Sequence, residues 1–490
     1  MTKIDLGILV TLIVVLVTGI LMMPAEECSG DAMAVRVETV HLLKEGKLGV
    51  PEEIATKYQG DKGMFFCKNE VTGKWFPKYG VINSLIYVPA LRLEQLLEGK
   101  LEYPISPLRL LLLNIHNIVL SLMCAALFYL TVRLFTQSQT VACIYVLSII
   151  YMTFCWYYFR AQIFEIHALL FLSGAFYSAF RGRRELLIQG ISVMAGSVRA
   201  WILACALFLG VLILSKTLYV VLLPAFFAFF FLSLKEANNR VRLIGLAWFC
   251  IPVGLFCTIL LALNHFKFGS IYNTGYSQWI AESKPLSGDI IKGMWGYLFD
   301  GQWGVLSCFP IIMFAFFYWR RFYNINRIEA VMILSTAAII LAINSCFINW
   351  RGTWCYGPRY LLPILSLVGM PAIYLLEDVS SIKKQWARIA SVLGLLFFGI
   401  SLIAIQSFVI RLPFYTWYQL DAIVAKQYSS KTARYMFETP YWLINRDIVA
   451  MQTGGNSALS ELLISELPRD QKQRAEELIF TLKPNYYWFR

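Results

Sequence analysis

Residues 6–23 read LGILVTLIVVLVTGILMM, and residues 24–31 continue PAEECSGD. The first string carries no charge and approaches the ~20 apolar residues a helix needs to cross a hydrocarbon core. It is too long for a signal-peptide core, and Pro24-Ala25-Glu26-Glu27 gives no small-residue cleavage site. It therefore reads as a retained span. The second string places Asp31 beside Gly30, just past the end of that span. An acid there reads first as a solvated loop carboxylate. It reads as a reacting group only if the rest of the chain brings partners to the same surface.

Composition sets the class. Of 490 residues, 58% are hydrophobic, 15% aromatic and only 15% charged. Soluble domains run nearer half apolar and a quarter charged, so the chain reads as an all-α polytopic membrane protein. The net charge of +13 does not call for nucleic acid, because Lys and Arg collect in the cytoplasmic loops of membrane proteins. No G-x-x-x-x-G-K-[ST] loop occurs, which argues against an ATP-driven pump. Most of the 11 cysteines fall inside hydrophobic runs, where a thiol is a small apolar group. Cys28 and Cys67 lie instead in the first hydrophilic loop, and their pairing in a disulfide stays open.

About eleven apolar runs follow one another, near 6–23, 107–130, 140–158, 163–180, 200–215, 217–234, 243–263, 304–319, 328–348, 360–376 and 389–408. With the N-terminus inside, the short cytoplasmic loops hold Lys3, Arg133, Arg181, Arg183, Arg184, Lys235, Arg240, Arg242, Arg320, Arg321, Arg327, Lys383, Lys384 and Arg388. That is the positive-inside pattern. The long loops 24–106, 264–303 and 349–359 and the tail then share the outer face, and long loops are usually functional. The chain divides into a transmembrane module, 1–408, and an extracytoplasmic C-terminal region, 409–490. In the first loop, Ala32 to Gly46 reads as an amphipathic helix and Val81 to Leu97 as a helix lying in the interface. In the tail, Leu459 to Leu482 reads as helical.

Candidate site residues are the ionisable and aromatic groups at the outer ends of the runs: Asp31, Lys78, Tyr79, Arg160, Glu165, His167, Lys216, His265, Lys267, Tyr272, Arg351, Arg359 and Tyr360. Taken singly, a Lys or Arg at a span end snorkels to the headgroups, and a Tyr or Trp there belongs to the aromatic belt. Taken together on one face, charges at a membrane edge mark a substrate path. Bases suit a phosphate and an acid suits a proton, which points to an anionic lipid substrate.

Four stretches resemble a known family. Ser29-Gly30-Asp31 precedes a helix ending His41-Leu42-Leu43-Lys44-Glu45-Gly46. Gly73-Lys74-Trp75-Phe76-Pro77-Lys78-Tyr79-Gly80 is followed by Ser84-Leu85 and Pro89. Asn264-His265-Phe266-Lys267-Phe268-Gly269-Ser270 leads to Thr274-Gly275-Tyr276, then Gly304-Val305-Leu306 and Pro310. Trp354-Cys355-Tyr356-Gly357-Pro358-Arg359-Tyr360-Leu361-Leu362-Pro363 is the most specific of the four. Together they resemble the bacterial polytopic glycosyltransferases of the GT-C fold, related to protein O-mannosyltransferases and aminoarabinose transferases. The resemblance runs from about residue 6 to 375 and leaves the tail uncovered.

The resemblance implies sugar transfer from a polyprenyl-phosphate sugar donor to a lipid, glycan or protein acceptor at the outer face of a bacterial inner membrane. It implies Asp31 as catalytic base. Many relatives carry a second acid directly after the first, whereas Ala32 stands here, so Glu165 becomes the candidate second acid. Arg359, Lys78, Lys216 and Arg160, with Tyr79 and Tyr360, would hold the donor phosphate. His167, His265, Tyr276 and Trp354 are weaker candidates for substrate contacts. A divalent cation held by the two acids with His167 or His265 is left open.

Overall fold

The computed structural model describes residues 5–24, 30–58, 65–101, 106–189, 195–276, 286–301, 303–348, 350–352, 356–381, scattered positions from 385 to 400, and 431–481. Local chemistry sets the helix ends. Asp5 caps α1 (Leu6–Leu21) by accepting from the amides of Gly7 and Ile8 at 3.0 and 3.4 Å. Such a cap contributes about 1 kcal/mol. Ser106 caps α5 (Pro107–Arg133), whose first residue is proline, where its missing N–H leaves no bond unmade.

Four further helices complete the first half of the bundle: α6 (Gln139–Tyr151), α7 (Cys155–Arg160), α8 (Glu165–Gln189) and α9 (Gly196–Ser215). Then come a 3₁₀ turn (Thr217–Leu222), α10 (Leu223–Ser233) and α11 (Asn239–Phe268), which ends on Gly269 at φ +77. Such a left-handed terminus suits glycine. Helices Ile311–Ile325 and Arg327–Ser345 and the broken helical segment Arg359–Val379 close the bundle. Among the described residues, five segments are long and apolar enough to cross a membrane, and three shorter apolar helices accompany them. The expected span 140–158 divides at Met152 into α6 and α7, and most of the expected span 389–408 lies outside the described residues.

The first loop folds back over one end of this bundle. Helix α2 (Gly30–Glu45) packs against α4 (Val81–Glu98), which packs on α5. An amphipathic α2 was expected. Instead it is enclosed nearly all round: Ala32 and every residue from Ala34 to Val40 are buried, Arg36 and Glu38 included. Both charges have partners inside the fold. Glu38 accepts from the Ser84 hydroxyl at 2.6 Å and the Gly49 amide at 3.3 Å, and Arg36 donates to Gln162 at 3.4 Å. Helix α4 is fixed by a buried pair, Arg109 Nε donating to both Glu94 oxygens at 2.8 and 2.7 Å.

Between α2 and α4 lie a short helix, α3 (Glu52–Tyr58), and a hairpin, β1 (Phe66–Lys68) antiparallel to β2 (Trp75–Pro77) with Cys67 opposite Phe76. The Asn69 side chain builds its turn by accepting from Val71 and Thr72, and donates to the Phe266 carbonyl at the end of α11. The Cys67 thiol donates to the Gly275 carbonyl at 3.1 Å; Cys28 lies outside the described residues.

The basic loop residues gather at the other end. Arg133 pairs with Asp5 at the start of α1, Arg183 with Glu329, and Arg321 with Asp378. Arg160, by contrast, donates to the Met22 carbonyl just past the end of α1, so it and Arg133 mark opposite ends of the bundle. In the tail, four helices between Lys431 and Thr481 enclose a small core of Met436, Ile444, Ile448, Met451, Leu459, Leu463, Leu467 and Ala475. The single helix expected from Leu459 is two, because Pro468 interrupts it.

Candidate active site

Three parts of the chain meet at the end capped by the first loop. Asp31 is in the first turn of α2, Glu165 opens α8, and Arg359 opens the broken helical segment Arg359–Val379. Arg359 Nη1 lies 3.6 Å from Asp31 Oδ2 and 3.6 Å from Glu165 Oε1. The Tyr79 hydroxyl donates to the other oxygen of Asp31. Of the two carboxylates, Asp31 is the reachable one, its side chain 22% exposed against 7% for Glu165.

The cations surround this pair. Arg359 Nη2 donates to the Tyr360 hydroxyl at 2.9 Å, and Lys216 lies 4.5 Å from the centre of the Tyr360 ring. Lys78 lies 5.3 Å from the ring of Tyr79 and 5.7 Å from that of Tyr276. Tyr79 and Tyr276 meet edge to face at 6.5 Å. Three cations therefore face two carboxylates, which leaves positive charge for an anion. Burial holds the Lys78 ammonium down to about 8, against the opposing pull of Asp31. Burial also lowers Lys216 to about 8, against Glu165. Burial and the Asp31 charge hold the Tyr79 phenol well above its usual value, so it stays a hydrogen-bond donor to Asp31 at neutral pH.

A small cavity of about 10 Å³ opens among Asn83, Glu165, Ser215, Lys216, Tyr219 and Arg359. A space of that size admits about one water. Glu165 Oε2 is buried there without a hydrogen-bond partner among the described residues.

One residue beside the site, Asn83, was not singled out by sequence. Asn83 donates to the Ser215 carbonyl at 2.8 Å and bonds His167 Nδ1 at 3.0 Å. It thereby ties α4 to α8 and to the end of α9 beside Lys216. Lys267, expected only as a loop-opening charge, is a clamp: its ammonium donates to the carbonyls of Pro77 and Tyr79 at 2.9 and 2.7 Å. It fixes the turn that carries Lys78 and Tyr79.

The remaining candidates fall elsewhere. His167 is fully buried against Asn83 and the Tyr87 ring. His265 is exposed at the end of α11. Arg160 is engaged at the end of α1, and Trp354 lies outside the described residues. Among those residues no group of three His, Cys, Asp or Glu gathers that could hold a metal ion.

Comparison with solved structures places the fold. The chain superposes on ArnT from Cupriavidus metallidurans in its apo state with a TM-score of 0.51 at 12% identity, over 96% of this chain and 74% of that one. For the same protein bound to undecaprenyl phosphate the values are 0.50, 13%, 96% and 74%. The archaeal oligosaccharyltransferase AglB from Archaeoglobus fulgidus, in complex with an inhibitory peptide and a dolichol-phosphate, gives 0.51 at 10% identity over 98% of this chain and 60% of that one. No family model and no curated protein matches the chain in sequence. The chain is thus a multi-pass membrane protein with the GT-C fold, as the motif resemblance implied.

Proposed function

We propose that the chain is an integral-membrane glycosyltransferase, moving a sugar from a polyprenyl-phosphate-linked donor to a lipid, glycan or protein acceptor at the extracytoplasmic face of a bacterial inner membrane. One observation carries the reading: Asp31 and Glu165 converge on Arg359, with Lys78 and Lys216 alongside. This group sits at the end of the bundle away from the basic loops, the face the positive-inside pattern puts outside. The neighbours with bound undecaprenyl phosphate and dolichol-phosphate share the fold, and a polyprenyl phosphate matches the surplus positive charge here.

In this reading Asp31 takes the proton of the acceptor hydroxyl or amine as that atom attacks C1 of the sugar. The new C1–acceptor bond forms as the C1–O bond to phosphate breaks, its electron pair leaving with the polyprenyl phosphate. Arg359, Lys78 and Lys216 balance the charge on that phosphate, and a guanidinium fork suits its oxygens. Tyr79 and Tyr360 orient the carboxylate and the guanidinium.

The test is reconstitution in liposomes with undecaprenyl-phosphate hexose on the accessible face and a cell-envelope lipid and glycan extract as acceptor source. Mass spectrometry should find free undecaprenyl phosphate and hexose-bearing acceptor. Movement of intact donor across the bilayer without its cleavage would instead show a flippase.

A further inference from the structure

Asp31 and Glu165 approach from helices 134 residues apart in sequence, yet both point at one nitrogen, Arg359 Nη1, at 3.6 Å. Two carboxylates aimed at one point are half of a hard-cation site, since Ca²⁺, Mg²⁺ and similar ions take oxygen ligands. Here the point is filled by a side chain. Gly352, at φ +72, passes so close that a Cβ on it would lie 2.8 Å from Arg359 Nε. Tyr360 accepts from Arg359 Nη2 at 2.9 Å. The guanidinium is therefore held by backbone on one side, a phenol on another and two acids in front. Its charge meets theirs, so neither carboxylate is left as an uncompensated partly buried anion. A metal ion could enter only by expelling this arginine. The residues present do not fit a divalent cation.

We propose that Arg359 is the resident cation of the site: it occupies the position between Asp31 and Glu165 that a divalent ion would take, and the site works without metal. The inference rests on the transferase reading for its role in catalysis, but not for its metal-binding consequence. A guanidinium can do here what a bare ion does, because its five N–H groups in a fixed plane serve acids and phosphate oxygens together. When a donor phosphate arrives, part of the fork turns to it, and Asp31 is released from its ion pair to accept the proton.

The experiment uses the full-length protein in nanodiscs, dialysed against EDTA and then titrated with Mn²⁺. Metal content is read by plasma mass spectrometry and free Mn²⁺ by electron paramagnetic resonance. The wild type should retain no stoichiometric metal. Arg359→Ala, checked for folding by its melting curve, should gain at least roughly tenfold in Mn²⁺ affinity, because it frees two converging carboxylates. Adding Asp31→Asn should abolish that gain. A wild-type protein that binds one Mn²⁺ per chain, lost in Asp31→Asn, overturns the proposal without recourse to the arginine variant. So does a folded Arg359→Ala protein with no gain. Transfer by the wild type should be equal in EDTA and in Mn²⁺. If no donor is turned over under either condition, the transferase reading fails while the metal result still stands.

Discussion

Lys267 gives a sharp test of how the site is held. Its side chain is 3% exposed, and its ammonium donates to two backbone carbonyls of the turn carrying Lys78 and Tyr79. Lys267→Met keeps the length and apolar stem but removes both bonds. A hydrogen bond to a charged group is worth about 1.5–3 kcal/mol, so the gross loss is about 3–6 kcal/mol. Against it stands relief of burying the ammonium, several kcal/mol by itself. The two terms largely offset, and global stability should fall by only about 1–3 kcal/mol. The local effect is larger. The Pro77 and Tyr79 carbonyls must find new partners, so the turn shifts and the Tyr79 hydroxyl leaves Asp31. A displacement of about 1 Å lowers a rate about 100-fold. Initial transfer rates in proteoliposomes, measured beside melting curves, should show that loss with only a modest fall in melting temperature. Lys267→Arg should recover part of the rate. A folded Lys267→Met protein with the wild-type rate would refute the claim that this lysine positions the turn.

Other outcomes follow from the same geometry. Lys78 and Lys216 are held near pH 8, and only their protonated forms attract phosphate. Undecaprenyl phosphate affinity, by calorimetry in nanodiscs, should therefore fall as pH rises from 7 to 9, where about a tenth of each ammonium remains; Lys78→Arg with Lys216→Arg should flatten the profile. Glu94→Gln leaves Arg109 buried without its counter-ion and should destabilise by about 3–5 kcal/mol, and thermal melting of Glu94→Gln/Arg109→Met should recover most of that. Gly352→Ala forces a side chain into a left-handed position for about 1–2 kcal/mol and drives its Cβ into Arg359. Donor KM should rise more than in Gly73→Ala, where a positive-φ glycine faces open space.

The fold was legible because a lipid solvent writes itself into sequence as long apolar runs, and because Arg133 and its fellows cluster in short loops. Members of the candidate site were legible too. Asp31, Tyr79, Glu165, Lys216 and Arg359 were all named from charged or phenolic groups at run ends and from motif resemblance, and the fold brings them together. What escaped was decided by which way side chains face. His265 reads like Lys267 in sequence, two residues away, yet one is exposed and the other buried. Asn83 has no charge and sits in an apolar stretch, so nothing marked it as the bridge between three helices. An amphipathic helix over Ala32 to Gly46 would turn Arg36 and Glu38 to water; here Gln162, Ser84 and Gly49 partner them inside. The hairpin escaped because its strands have only three residues each, too short to show an alternation.

The central claim is that Asp31 takes the acceptor's proton while the cations hold the donor. The direct measurement is Asp31→Asn in the reconstituted assay, with undecaprenyl-phosphate hexose affinity measured on the same preparation. Transfer should fall by about 100-fold or more, the range for loss of a general base, while donor affinity is retained. Full transfer by the folded Asp31→Asn protein would contradict the account.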